Sequence, residues 1–324
     1  MDLSEGKLAA WLLAGEPVYS LEQAEERLGI SAELISRLWR GLGFANPPRQ
    51  GAAFTEYDLH SLEQASIGSA AGLLDEDTIV RLARAIGQTM TRLADWQITL
   101  VAARLETIMA ERPEGTDPFE VGLELAEVVG VPYEEVLAFA WRRHLGSAIE
   151  RLMAVANLET AADEVLSTVG FADLVSFSEL SNQLSDERIG DLVEVFETRA
   201  GDAVQSLGGR VVKTLGDSVL FDCADPVVGI DIAAAIVQVI GGDHRLPDVR
   251  IGVATGPVLH RFGDVFGPPV NYAARLTSIA RRNRIITDEA TAAALPAARY
   301  ETRALTARPI RGFGLREPIA VRRL

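Results

Sequence analysis

Cysteine, histidine and positive charge are all scarce in this chain. A single cysteine, Cys223, leaves no intrachain disulfide, so packing alone must hold the fold, and a reducing cytoplasmic setting is the expectation. The four histidines are scattered, and no Ser–His–acid or Cys–His set stands out, which argues against a covalent nucleophile. Lys and Arg total 31 against 46 Asp and Glu, a net charge of −15. A general nucleic-acid or anionic-membrane surface needs the opposite balance. Long apolar runs are also missing. The longest, VVGIDIAAAIVQVIGG over 227–242, is interrupted by Asp231 and Gln238 and is too short to cross a bilayer. The opening MDLSEGKLAAWLLAGEP has early acids and a short apolar run, unlike a secretory signal. There is no internal repeat and no low-complexity tract.

What remains is a chain of 324 residues, 48% hydrophobic and 24% charged, long enough for two globular domains. Residues 1–155 read as all-helical. SLEQAEERLGI starts at a capping Ser20 and SAELISRLWRGLGF at Ser31, with a loop over 46–54 and further helical stretches beyond. Pro132 is expected to open a new helix that contains Gly146 and runs to the end of this half. Residues 156–166 form a linker. From 167 to 324 the pattern alternates: strand TVGFADLVSF, a helix, hairpin GRVVKTLGDSVLFDC, a helix, strand DVRIGVATGPVLH, helix PPVNYAARLTSIAR, a strand and helix, then a terminal strand pair. The expected class is α+β: a ferredoxin-like α/β sandwich with a mostly antiparallel sheet, covered by helices on one face and preceded by an all-α domain.

Two acids follow apolar runs, Asp173 in FADLVSFS and Asp217 in TLGDSVLF. An acid at the end of a buried strand is costly unless it meets a cation. Two of them on neighbouring strands suit Mg²⁺ or Mn²⁺, which take oxygen ligands and substrate phosphates. After Asp173 the chain turns into a helix, so the amides of Phe177 and Ser178 can face a phosphate chain. In GDVFGPPVNYAARL, Asp264 sits in a turn, while Asn271 and Arg275 are four apart and share a helix face suited to a ribose and a phosphoryl group. Spacing alone leaves two other readings open: unrelated turn aspartates, and a capping Asn beside a solvated Arg.

Taken together and in this order, FADLVSFS, GRVVKTLGDSVLF, VRIGVATGPVL and DVFGPPVNYAARL resemble the catalytic domain of class III adenylyl cyclases over roughly residues 167–324. The resemblance implies that Asp173 and Asp217 bind two divalent ions, Mg²⁺ or Mn²⁺, with help from the Leu174 carbonyl. It implies that Lys213 and Asp264 read the adenine edge, that Asn271 positions the ribose and that Arg275 stabilises the α-phosphate. The Lys/Asp pair points to ATP, since guanylyl cyclases typically carry Glu and Cys there. The implied reaction is two-metal-assisted attack of the ribose 3′-oxygen on the α-phosphate, giving 3′,5′-cyclic AMP and pyrophosphate. The implied assembly is a homodimer with shared active sites, in which Lys213 and Asp217 of one chain serve different sites. Two departures stand out. Ser176 replaces the usual Gly, and Arg311 in IRGFG lies where a phosphate-binding Lys is common. The alternatives are a guanylyl cyclase, or an inactive cyclase-like nucleotide-binding regulator of transcription.

Residues 20–65 resemble the helix-turn-helix of MerR-type regulators, which would put SAELISRLWR in a major groove. The acidic first hundred residues, with Arg37 and Arg40 as the bases of that helix, argue against DNA. The whole chain resembles the mycobacterial two-domain soluble cyclases, whose helical N-terminal domain is autoinhibitory and pH-responsive. The regulatory signal is left open between protons, a lipid, bicarbonate and a partner, and His144, beside Gly146, is a candidate proton sensor. Cys223 is expected as a small buried hydrophobe, and Trp39, Trp96 and Trp141 as core or domain-interface residues.

Overall fold

Serine and threonine hydroxyls start the first helices. Ser20 caps α1 (Leu21–Leu28), Ser31 caps α2 (Ala32–Gly41) and Thr55 caps α3 (Glu56–Ala70), each accepting from a backbone amide in the first turn. Such a cap contributes about 1 kcal/mol. The computed structural model describes residues 15–156, 165–261 and 263–324. Most of the expected linker, 157–164, and most of the N-terminal segment read as a non-signal lie outside the described residues.

The chain divides into two compact units, Met1–Glu150 and Arg151–Leu324. In the first, Leu34, Ile35 and Leu38 of α2 pack with Leu59, Leu62, Ile79 and Phe54 in one core. The Tyr19–Phe54 bridge closes its base. Arg37 is tied to Asp77 and Glu76 of α4 (Glu76–Glu111), and Arg40 bonds Asn46, so both bases of the MerR-like helix have partners within this unit. One expectation needs correction. Pro132 does not open a helix but lies inside α5 (Pro118–Ala156). A proline's fixed φ is helical, and it costs the helix one backbone bond rather than ending it. Trp39 packs on Phe44 and Phe54 at the core of this unit, whereas Trp96 and Trp141 are about 60% exposed, so of the two readings these have only the interface one left. His144 is exposed on α5.

The second unit is built on one sheet ordered β2-β3-β1-β4-β6-β10-β7, with β5 paired to β4 off this path. The strands are β1 (Val165–Leu174), β2 (Arg210–Thr214), β3 (Ser218–Cys223), β4 (Val249–Arg261), β5 (Asp264–Phe266), β6 (Arg284–Thr287), β7 (Tyr300–Ala304) and, after the separate hairpin β8 (Arg308–Ile310) and β9 (Gly314–Arg316), β10 (Ile319–Arg323). Only the β4–β6 pair is parallel, so the sheet is mostly antiparallel as expected.

Helices cover both faces rather than one. Ala172, Leu174, Ile251 and Val253 pack against α7 (Asp186–Ser206) and α8 (Pro226–Gly241), through Phe196, Val204, Ile232 and Ile236. Phe171, Ala254 and Ile286 point the other way and meet α9 (Pro268–Ile279) through Ala273 and Leu276. Alternation along a strand sends successive side chains to opposite faces, and in β1 and β4 both sets are apolar. The backbone of α9 lies directly on β4: a Cβ at Gly252 would stand 2.3 Å from the Ala273 carbonyl oxygen and from the Thr277 amide. A short helix, α6 (Phe177–Ser181), follows β1, and α10 (Glu289–Ala293) follows β6.

Candidate active site

The end of β1 carries Asp173, and the turn between β2 and β3 carries Asp217. Register places Asp173 across from Ser218 on β3 and from Arg250 on β4. Both neighbours hold its carboxylate: Ser218 Oγ donates to Oδ1 at 2.6 Å and Arg250 Nε to Oδ2 at 2.7 Å. The Leu174 amide donates to the Asp217 carbonyl at 2.9 Å, tying the turn to the strand end. Burial pushes the Asp217 carboxyl above the ordinary carboxylate range. The charge of Asp173 pushes it further, and its own backbone amide, Arg250 and Ser218 offset only part. A carboxylate destabilised by a second one is relieved by a cation, and hard oxygen donors suit Mg²⁺ or Mn²⁺. No third His, Cys, Asp or Glu joins them among the described residues, so two side chains are the whole acidic donor set there.

Ser176, before α6, sits at φ 58°, in the left-handed region. That backbone favours glycine and gives a physical reason for the glycine of the resembling family. Phe177 and Ser178 open α6, where helix geometry leaves their amides without an intrahelical acceptor.

A register shift between Val211 and Lys213 interrupts the β2–β3 ladder. Beyond it, Lys213 Nζ meets Asp264 Oδ2 at 2.5 Å, while Asp264 Oδ1 accepts from the Val265 amide at 2.8 Å. Burial opposes the charged form of Asp264, but the bonds from Lys213 and the Val265 amide outweigh it and hold the carboxyl below its ordinary value. Asn271 and Arg275 project from the exposed side of α9 and have no side-chain hydrogen bond or ion pair among the described residues. The structure thus brings together Asp173 with Asp217 and Lys213 with Asp264, while the Asn271 and Arg275 side chains bond none of these acids among the described residues. Arg311 is exposed in the β8–β9 turn, not on a strand. Sequence reading missed Ser218 and Arg250. Both lie within motifs that carry the resemblance, but only strand register reveals that they flank Asp173.

Residues 160–320 match the family model described as the adenylate and guanylate cyclase catalytic domain. An adenylate cyclase of Streptomyces coelicolor is 37% identical across 96% of this chain and 88% of its own length. The chain belongs to the class III adenylate cyclases. The cyclase match runs from ahead of β1 into β10, so it takes in Asp173, Asp217, Lys213, Asp264, Asn271 and Arg275. A second adenylate cyclase, from Streptomyces griseus, is 39% identical over 88% of this chain and 70% of its own length. A Mycobacterium tuberculosis protein named pH-sensitive adenylate cyclase is 29% identical over 85% and 70%. Class III cyclase domains use divalent metal, in keeping with the acids described above. No helix among the described residues of this cyclase is long and apolar enough to cross a membrane.

Proposed function

We propose that this cyclase converts ATP to 3′,5′-cyclic AMP and pyrophosphate at two sites shared across a symmetric homodimer. The observation that carries the reading is that the site residues of one chain do not bond one another as a single set. Asp173 and Asp217 interact with each other, Lys213 bonds Asp264, and Asn271 and Arg275 stand on α9 without partners among the described residues. A two-fold arrangement lets the acids of one protomer face the helix of the other.

Asp173 and Asp217, with the Leu174 carbonyl, would hold Mg²⁺ or Mn²⁺. When bound, the metal neutralises triphosphate charge and makes the ribose 3′-hydroxyl easier to ionise. The remaining work falls to the chain. Lys213 and Asp264 satisfy one another and exchange that bond for the adenine edge, Lys213 donating to a ring nitrogen and Asp264 accepting from the exocyclic amine. Asn271 orients the ribose so that its 3′-oxygen lies in line with the α-phosphorus. Arg275 balances the charge that grows on the α-phosphate, and the amides of Phe177 and Ser178 receive the triphosphate. Arg311 is a lesser candidate for the phosphates. Residues 1–155 act as the regulatory domain and 167–324 as the catalytic one. The relative with a pH-sensitive name aligns over most of this chain, which favours control through the helical half.

Two measurements test this. Purified chain with Mn²⁺ should turn over ATP well ahead of GTP. Asp217→Ala and Lys213→Ala, each strongly impaired but measurable alone, should recover about a quarter of wild-type activity when mixed, since random pairing makes half the dimers mixed, each with one intact site. Mixed dimers that form yet stay inactive count against shared sites.

A further inference from the structure

Asp222 on β3 is a buried carboxylate, 5% exposed, that the proposed chemistry does not use. Such a group is held charged only by dedicated partners. It has two. Arg210, its register partner on β2, grips it with two bonds of 3.0 Å, Nε to Oδ1 and Nη2 to Oδ2. His260 on β4 meets Oδ2 from the other side at 2.7 Å. Burial opposes ionisation, but His260 and Arg210 together keep the carboxyl below its ordinary value.

The position of this network is informative. β4 and β5 form a ribbon in which Leu259, His260 and Arg261 pair with Phe266, Val265 and Asp264. Val265 packs with Val169, Leu220 and Val258 on the sheet face that Asp222 shares with its register partner Val169. The ribbon is then fastened to β2 and β3 at three points. His260 binds Asp222, Arg210 Nη1 donates to the Gly263 carbonyl at 3.4 Å, and Lys213 binds Asp264. In a regular strand Arg210 and Lys213, three apart, would point to opposite faces. The bulge between Val211 and Lys213 reverses that parity, so both reach the same turn, at Gly263 and Asp264.

We infer that Arg210, Asp222 and His260 are positioning residues that hold the Asp264 turn against Lys213 and so set the discrimination between purines. This rests on the reading that Lys213 and Asp264 contact the base. The network touches no substrate; it fixes the turn through the Gly263 carbonyl and through His260, whose register partner Val265 adjoins Asp264.

The test is steady-state kinetics of the full chain with ATP and GTP for Asp222→Asn, Arg210→Gln, Arg210→Lys and His260→Gln, beside Lys213→Ala. Displacing a base-reading group without touching the reacting atoms should raise KM for ATP about tenfold, with kcat within about threefold, and lower the ATP-to-GTP ratio of kcat/KM about tenfold. Arg210→Lys should retain part of the wild-type ratio, and the Arg210→Gln, Asp222→Asn double variant should be no worse than the worse single. If Lys213→Ala alters the purine ratio while the network variants keep wild-type KM and ratio, the positioning role is overturned and the base reading stands. If Lys213→Ala itself leaves the ratio unchanged, the base reading falls and the inference with it. Should Asp222→Asn fail to fold, wild-type KM and ratio in both Arg210→Lys and His260→Gln overturn the inference by themselves.

Discussion

Arg250 lies directly across the β1–β4 strand pair from Asp173 and closes on its carboxylate with a 2.7 Å bond. A guanidinium therefore already holds one oxygen of an acid assigned to metal. Arg250→Gln removes that competitor. The Mn²⁺ concentration giving half-maximal activity should fall severalfold, read by titrating the metal at fixed ATP. An unchanged or higher requirement would show that Arg250 organises Asp173 rather than competing for it.

Asp217 makes a stability prediction with a definite sign. Its carboxyl is raised in the folded chain, first by burial and then by Asp173, so its charge disfavours folding without metal. The penalty is absent at low pH, where both folded and unfolded chains are protonated, and it develops as pH rises through the ordinary carboxylate value of about 4. In chelator at pH 7, Asp217→Asn should melt higher than wild type, and the gap should close towards pH 3–4, about where free carboxyls protonate. Mn²⁺ should raise the melting temperature of wild type more than that of the variant. A variant that melts lower at pH 7 would contradict the assigned electrostatics.

Gly252 tests how closely the proposed ribose and phosphate residues depend on the sheet. Alanine there drives a methyl into the Ala273 carbonyl and the Thr277 amide, both backbone atoms of α9. The helix must move, at a cost of about 1–3 kcal/mol. Activity should fall by more than tenfold at temperatures where circular dichroism still reports a folded chain, because Asn271 and Arg275 ride on α9.

Cys223 should be inert in the native chain. Burial, chiefly, pushes its thiol up to about 12, and Sγ bonds the Asp225 carbonyl at 3.3 Å. A thiol reagent at pH 8 should label it only after denaturation; rapid native labelling would mean that the β3 end opens.

The regulatory proposal predicts that the full chain and a chain beginning at residue 160 differ in activity, and that the difference varies with pH. Equal activity at every pH would remove the regulatory role and leave the catalytic one. Within the full chain, His144→Ala should flatten the pH profile if that exposed side chain is the sensor.

Local chemistry was legible in the amino-acid sequence by itself. Ser20 and Ser31 each cap a helix because a side-chain oxygen meets a free amide a few residues away. The order of four motifs indicated a cyclase sheet, and the two strand-end acids stood out because such a group needs a cation. Pro132 misled, because a fixed φ compatible with a helix looks the same in sequence whether it starts the helix or lies within it. The covering of both sheet faces was hidden because the period of two reports that faces alternate, not what packs on each. Tertiary structure alone decided the partners. Arg250 and Ser218 reach Asp173 through strand register, a relation across 77 and 45 residues of chain. Arg210 and Lys213 reach one turn only because a bulge reverses the alternation that sequence spacing would predict. Spacing along a chain fixes which side chains share a face only while the backbone stays regular, and at this site it does not.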